Sequence, residues 1–66
     1  MKELQDFLDC YGLGISVQKM ADKAYCYMAS KGHDVCMIND RYLEVDGKTY
    51  LFSKSRKHNR WIAKEI

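Results

Sequence analysis

Sixty-six residues, 47% hydrophobic and 30% charged, describe a single small globular domain over residues 1–66 and exclude both a disordered chain and a two-domain enzyme. A domain of this size buries only about 60% of the surface its unfolded chain exposes, so its stability is marginal. The formal net charge of +2 looks too small to point to nucleic acid, and the absence of proline favours unbroken elements.

Residues 3–11 read as a short helix, with Leu4, Phe7, Leu8 and Tyr11 on one face and Glu3, Asp6 and Asp9 on the other. Gly12-Leu13-Gly14 breaks the pattern. Ser16 is an N-cap, because its hydroxyl can accept a bond from an orphan backbone N–H. The second helix has its apolar face on Val17, Met20, Ala21, Ala24, Tyr25 and Met28, and Gly32 closes it. Its opposite face carries Lys19, Asp22, Lys23, Cys26 and Ser30. Tyr25 and Tyr27 read as core rim.

After Gly32 the period changes. Val35-Cys36-Met37-Ile38 is a short apolar run that reads as a buried strand, and Asn39-Asp40 is turn chemistry. Asp46-Gly47 between Arg41–Val45 and Lys48–Phe52 signals a two-residue hairpin that pairs Val45 with Lys48, Leu43 with Tyr50 and Arg41 with Phe52. Leu43, Val45, Tyr50 and Phe52 then share the face turned to the helices, and Tyr42, Glu44, Thr49 and Leu51 the other. Residues 53–59 read as a polar loop, and Arg60–Ile66 as a further strand in preference to a helix. The expected fold is α+β: two N-terminal helices packed on one face of a small antiparallel three- to four-stranded meander. The outer sheet face would then expose Tyr42, Leu51 and Trp61, large groups that mark an interaction surface.

The start of the chain is polar and acidic, with no apolar segment of signal-peptide type, and no run approaches the ~20 residues of a spanning helix. Three cysteines, an odd number without CxxC spacing, read as reduced thiols, and the expected location is cytoplasmic. No cofactor motif or catalytic constellation is present. His33-x-x-Cys36 is the one close ligand pair, where a structural zinc site needs two; His33 reads as part of a polar turn and Cys36 as a small buried hydrophobe.

The net charge hides an asymmetry. Residues 1–46 hold five Lys/Arg against eight Asp/Glu, a net of −3, whereas residues 47–66 hold six against one, a net of +5. The cations of the second part are Lys48, Lys54, Arg56, Lys57, Arg60 and Lys64, and four of them, with His58, fall between 54 and 60 beside Tyr50, Phe52 and Trp61. Cations for phosphates with aromatics nearby form the footprint of a nucleic-acid contact. The same run also fits a solvated loop that guards a sheet edge.

Val45-Asp46-Gly47-Lys48-Thr49-Tyr50-Leu51-Phe52-Ser53-Lys54-Ser55 resembles the wing hairpin of small winged-helix excisionases and related DNA-binding proteins. Leu13-Gly14-Ile15-Ser16 is similar to the turn of a helix-turn-helix, with residues 17–31 as the recognition helix. The resemblance implies DNA binding on a winged-helix-like variant of the fold, although only two helices precede the hairpin where that core has three. The leading expectation is therefore a small accessory nucleic-acid-binding protein that is not an enzyme. The alternative is a protein-binding module similar to phage-type regulators and anti-CRISPR-like inhibitors that dock on a host complex, with Lys19, Lys23, Cys26, Tyr42, Leu51 and Trp61 as interface residues. Homodimerisation is compatible with either.

Overall fold

The computed structural model describes residues 1–66. Two helices, α1 (Lys2–Leu8) and α2 (Val17–Ser30), precede four strands, β1 (Val35–Met37), β2 (Tyr42–Val45), β3 (Lys48–Ser55) and β4 (Arg60–Glu65). The strands form one antiparallel sheet in the order β1-β2-β3-β4, and both helices pack on the same face of it. This is the α+β meander expected from the sequence. No helix is long and apolar enough to cross a membrane.

Local chemistry sets the helix ends. Helix α1 stops at Leu8, short of the expected Tyr11, because Cys10 and Tyr11 donate to the carbonyls of Phe7 and Leu8 in tight i→i−3 turns ahead of Gly12. Ser16 caps α2, its Oγ accepting from the Lys19 N–H at 3.1 Å. At the other end Gly32 adopts φ 88°, Gly32 N–H donates to Ala29 O and His33 N–H to Met28 O, which is the Schellman closure a left-handed glycine permits.

The core consists of Leu4 and Leu8 from α1, Met20, Ala21, Ala24 and Met28 from α2, and Leu43, Val45, Tyr50, Phe52 and Trp61 from the sheet. The expected apolar stripe of α2 is corrected at one position. Tyr25 remains exposed, and Tyr27 turns inward to stack on Phe7 with ring centroids 4.1 Å apart. Helix α1 causes the shift, because it lies beside α2 on the Tyr27 flank and leaves the Tyr25 flank without a neighbour.

The β2–β3 hairpin has the expected register, Val45↔Lys48, Glu44↔Thr49, Leu43↔Tyr50 and Tyr42↔Leu51. Its turn residues Asp46 (φ 52°) and Gly47 (φ 85°) are both left-handed, as a type I′ turn requires. Strand β1 is not buried. It lies at the sheet edge, alternates, and leaves Cys36 and Ile38 exposed while Val35 and Met37 pack against the core. Strand β3 runs through Ser55, so the expected loop over 53–59 shrinks to the four-residue turn 56–59. All three cysteines are free and exposed.

The arrangement departs from a winged helix. No third helix forms, and the Asp46–Gly47 turn that resembles a wing tip is tied back to the body. Asp46 Oδ1 accepts from the Asp34 N–H at 3.0 Å, and its Oδ2 meets His33 Nδ1 at 2.6 Å. The other ring nitrogen, Nε2, meets Glu3 Oε1 of α1 at 2.8 Å. One imidazole thus joins the first helix, the close of the second and the β2–β3 turn.

These contacts act on the ionisation of the partners. Hydrogen bonding to Asp46 and then Glu3 raises the pKa of His33 above its ordinary 6.5, and hydrogen bonding to His33 and to the Asp34 amide lowers that of Asp46 below 3.8. A raised histidine pKa adds stability that is complete below 6.5 and is lost as pH rises through the folded-state value. A lowered carboxylate pKa adds stability present above 3.8 and lost as pH falls. The clamp is therefore strongest between those limits. Urea midpoints measured across pH should fall on the alkaline side of 6.5 as His33 loses its proton, and His33→Gln should flatten that limb. An NMR titration placing His33 at or below 6.5 would contradict the clamp.

Candidate nucleic-acid interface

Strand β2 pairs with β3 through Leu51, and Phe52 N–H donates to Arg41 O just beyond it, whereas the β3–β4 ladder continues through Ser53↔Ile62, Lys54↔Trp61 and Ser55↔Arg60. The far end of this hairpin therefore overhangs the sheet by about 10 Å at ~3.3 Å per residue. Arg56, Lys57, His58 and Asn59 make its turn, all exposed. The turn closes with Asn59 in the left-handed region (φ 52°), where asparagine is tolerated, and with Asn59 N–H donating to Arg56 O. It is the β3–β4 hairpin, and not the β2–β3 hairpin, that extends past its neighbouring strand.

An overhanging two-strand ribbon needs support, and α1 supplies it. Gln5 lies along the outer edge of β4, its Nε2 donating to Trp61 O at 2.6 Å and its Oε1 accepting from Ala63 N–H at 3.1 Å. The side-chain amide satisfies two ladder groups as a neighbouring strand would, and it blocks that part of the edge. Asp9, one turn further on, accepts from Arg60 Nη2 at 3.0 and 2.9 Å. The Gln5 amide on Asp9, and then the Arg60 guanidinium, hold that carboxyl below its ordinary value of 3.8.

Trp61 is the principal correction. It is fully buried rather than exposed on the outer sheet face, and its Nε1–H donates to Gly12 O at 2.9 Å. Strand alternation groups Trp61 with Ala63 but does not say which face they take. The four-residue turn sets Trp61 opposite Lys54, on the helix side with Phe52 and Tyr50. The outer face carries Ile62 and Lys64 instead. Trp61 is thus an anchor of the hairpin and unavailable for base stacking or for a partner.

The six cations named from sequence divide accordingly. Arg56 and Lys57 stand free at the tip. Arg60 flanks them, paired with Asp9 but 44% exposed along its side chain. Lys54 is half-buried with Nζ 5.4 Å from the Trp61 ring centroid, so its charge sits against the indole on the helix side, at the base of the turn. Lys64 is exposed on the open sheet face, opposite Leu51. Lys48 is separated from the cluster, because it begins β3 roughly 20 Å from Lys54. The compact set is Lys54, Arg56, Lys57 and Arg60, with His58 among them.

The protein-interface candidates do not form one surface either. Lys19, Lys23 and Cys26 are exposed on the outer side of α2, where Lys23 Nζ lies 5.5 Å from the Tyr11 ring centroid. Tyr42 and Leu51 are half-buried neighbours on the opposite side of the molecule, across the bare sheet face. Gln5, Asp9 and Gly12, which carry the hairpin, were not legible as functional from sequence. The Gln5–Asp9 contact at i,i+4 is a local feature, but its partner strand lies more than fifty residues away.

The chain matches no family model, and the searches of curated proteins and of solved structures found no match. Trp61→Phe keeps an aromatic ring in the core but removes the indole N–H and the five-membered ring that carries it, and urea unfolding should show a loss of about 1–3 kcal/mol from the unpaired Gly12 carbonyl and the small void together. A loss comparable to that of an exposed tyrosine such as Tyr25→Phe would mean that the indole N–H does not secure the hairpin.

Proposed function

We propose that this protein binds nucleic acid, DNA in the first instance, with the tip of the β3–β4 hairpin. The observation that carries the proposal is the convergence of Lys54, Arg56, Lys57 and Arg60 on an overhanging ribbon in an otherwise acidic chain. A ribbon of two strands is narrow enough to enter a groove, and the exposed 56–59 turn puts its cations foremost, where they reach phosphates. Arginine at 56 and 60 suits phosphate because the planar guanidinium offers two parallel donors. Arg60 would exchange Asp9 for phosphate, which costs little, because a pair this exposed contributes little stability. The buried Trp61 argues for contact with the backbone of the nucleic acid and against base stacking.

A second reading rests on the bare outer face of the sheet. Tyr42, Leu51 and Ile62 lie there half-buried with no layer above them, beside exposed Lys64. That surface suits a protein partner of the kind bound by phage-type, anti-CRISPR-like inhibitors. Retention of a stoichiometric partner from nuclease-treated lysate, lost in Leu51→Glu and kept in Arg56→Ala/Lys57→Ala, would favour it.

Anisotropy titrations against a short duplex at several salt concentrations test the first reading. Neutralising four phosphates gives a log K against log salt slope of about −3.6, and Arg56→Ala/Lys57→Ala should bring it to about −1.8. A flat salt response, or no binding to duplex or single strand in low salt, would reject the proposal.

A further inference from the structure

The two edges of the sheet are treated differently. Gln5 bonds Trp61 O and Ala63 N–H on the outer side of β4, whereas no hydrogen bond reaches the outer side of β1. Asp46 N–H donates to Asp34 O and Ile38 N–H to Tyr42 O, so even-numbered residues of this stretch face β2. Val35 and Met37 consequently turn their N–H and C=O groups outward. The segment Val35-Cys36-Met37-Ile38 contains no lysine or proline, the residues that usually protect such an edge.

The side chains around this edge are consistent with its being covered. Four large hydrophobics are exposed, and two of them, Tyr25 at 38% and Ile38 at 49%, lie here. On α2, Tyr27 and Lys23 point toward α1, where they meet Phe7 and Tyr11. At 100° per residue, Tyr25, Gln18 and Ala29 fall on the opposite flank, above β1, with Asp22 as the one charge. The lysines of α2 lie elsewhere, so this surface can face a copy of itself without strong like-charge repulsion.

We propose that β1 pairs antiparallel with β1 of a second copy about a two-fold axis at Cys36, making one eight-stranded sheet with the two α2 helices side by side. In this register Val35 of each copy exchanges hydrogen bonds with Met37 of the other, which satisfies every outward group of the strand. The same register sets the two Cys36 residues opposite each other in a non-hydrogen-bonded pair, with Cα atoms about 4.5 Å apart. A three-residue strand alone falls short of the ~1,200 Å² of a stable interface, so the Tyr25 flank of α2 is a necessary part of it. The inference is independent of nucleic-acid binding, since the basic tip lies at the other side of the sheet.

Sedimentation equilibrium of the reduced protein tests it, with hydrogen exchange alongside. The expected result is a dimer whose Val35 and Met37 amides gain protection as concentration rises. Tyr25→Glu and Ile38→Lys, both at exposed positions, should each weaken association roughly tenfold or more with the helical CD signal unchanged. In a Cys10→Ser/Cys26→Ser protein, oxidised glutathione should link Cys36 to Cys36, two thiols closing one disulfide as glutathione is reduced. A monomer up to about 1 mM, a dimer indifferent to both substitutions, or failure of Cys36 to cross-link would each overturn the proposal.

Discussion

A two-strand ribbon that extends past its sheet has no third strand to hold it, and isolated hairpins are marginal in water. The distal half of β3–β4 would be such a ribbon without α1. Gln5 bonds two outward groups of β4, Trp61 packs against the α1–α2 connection and bonds Gly12, and Asp9 meets Arg60. Burying the largest side chain of the domain at this seam gives it apolar weight, and the Gln5 and Gly12 bonds hold it against α1 and the connection that follows. The position of the basic tip depends on that seam.

A second junction holds the other end of the molecule. His33 links Glu3 and Asp46, so the β2–β3 turn that would otherwise project lies against the helices. The two hairpins therefore have opposite fates. One tip is clamped and near the acidic half of the chain, and the other overhangs and is basic. The formal charge of +2 conceals this separation. In a domain with 11 buried residues, such side-chain junctions complement a core too small to place every turn by packing.

Legibility in the sequence follows the distance over which each feature is decided. The Ser16 cap, the Gly32 closure and the Asp46–Gly47 turn each involve residues within a few positions, and each forms as expected. The β2–β3 register follows from a turn whose length is visible. The β3–β4 register does not, because a polar stretch at 53–59 permits several turn lengths and each one-residue slip exchanges faces. That ambiguity placed Trp61 outside. Similarly, Tyr25 and Tyr27 are near-equivalent on α2 until α1 occupies one flank, and Val35–Ile38 reads as buried until its place at the edge is known.

The sequence by itself determined the elements, their order, the inner face of the central hairpin and the concentration of cations after residue 47, since these rest on periodicity, turn chemistry and counting. Only the tertiary structure decided which hairpin extends past the sheet, which cations lie near its tip, that Trp61 is an anchor, and that α1 bonds one sheet edge while the other is bare. Those outcomes depend on contacts between residues about fifty apart, such as Gln5 with Ala63 and Asp9 with Arg60. No local pattern encodes them, because the geometry that brings the partners together exists only once the helices lie on the sheet.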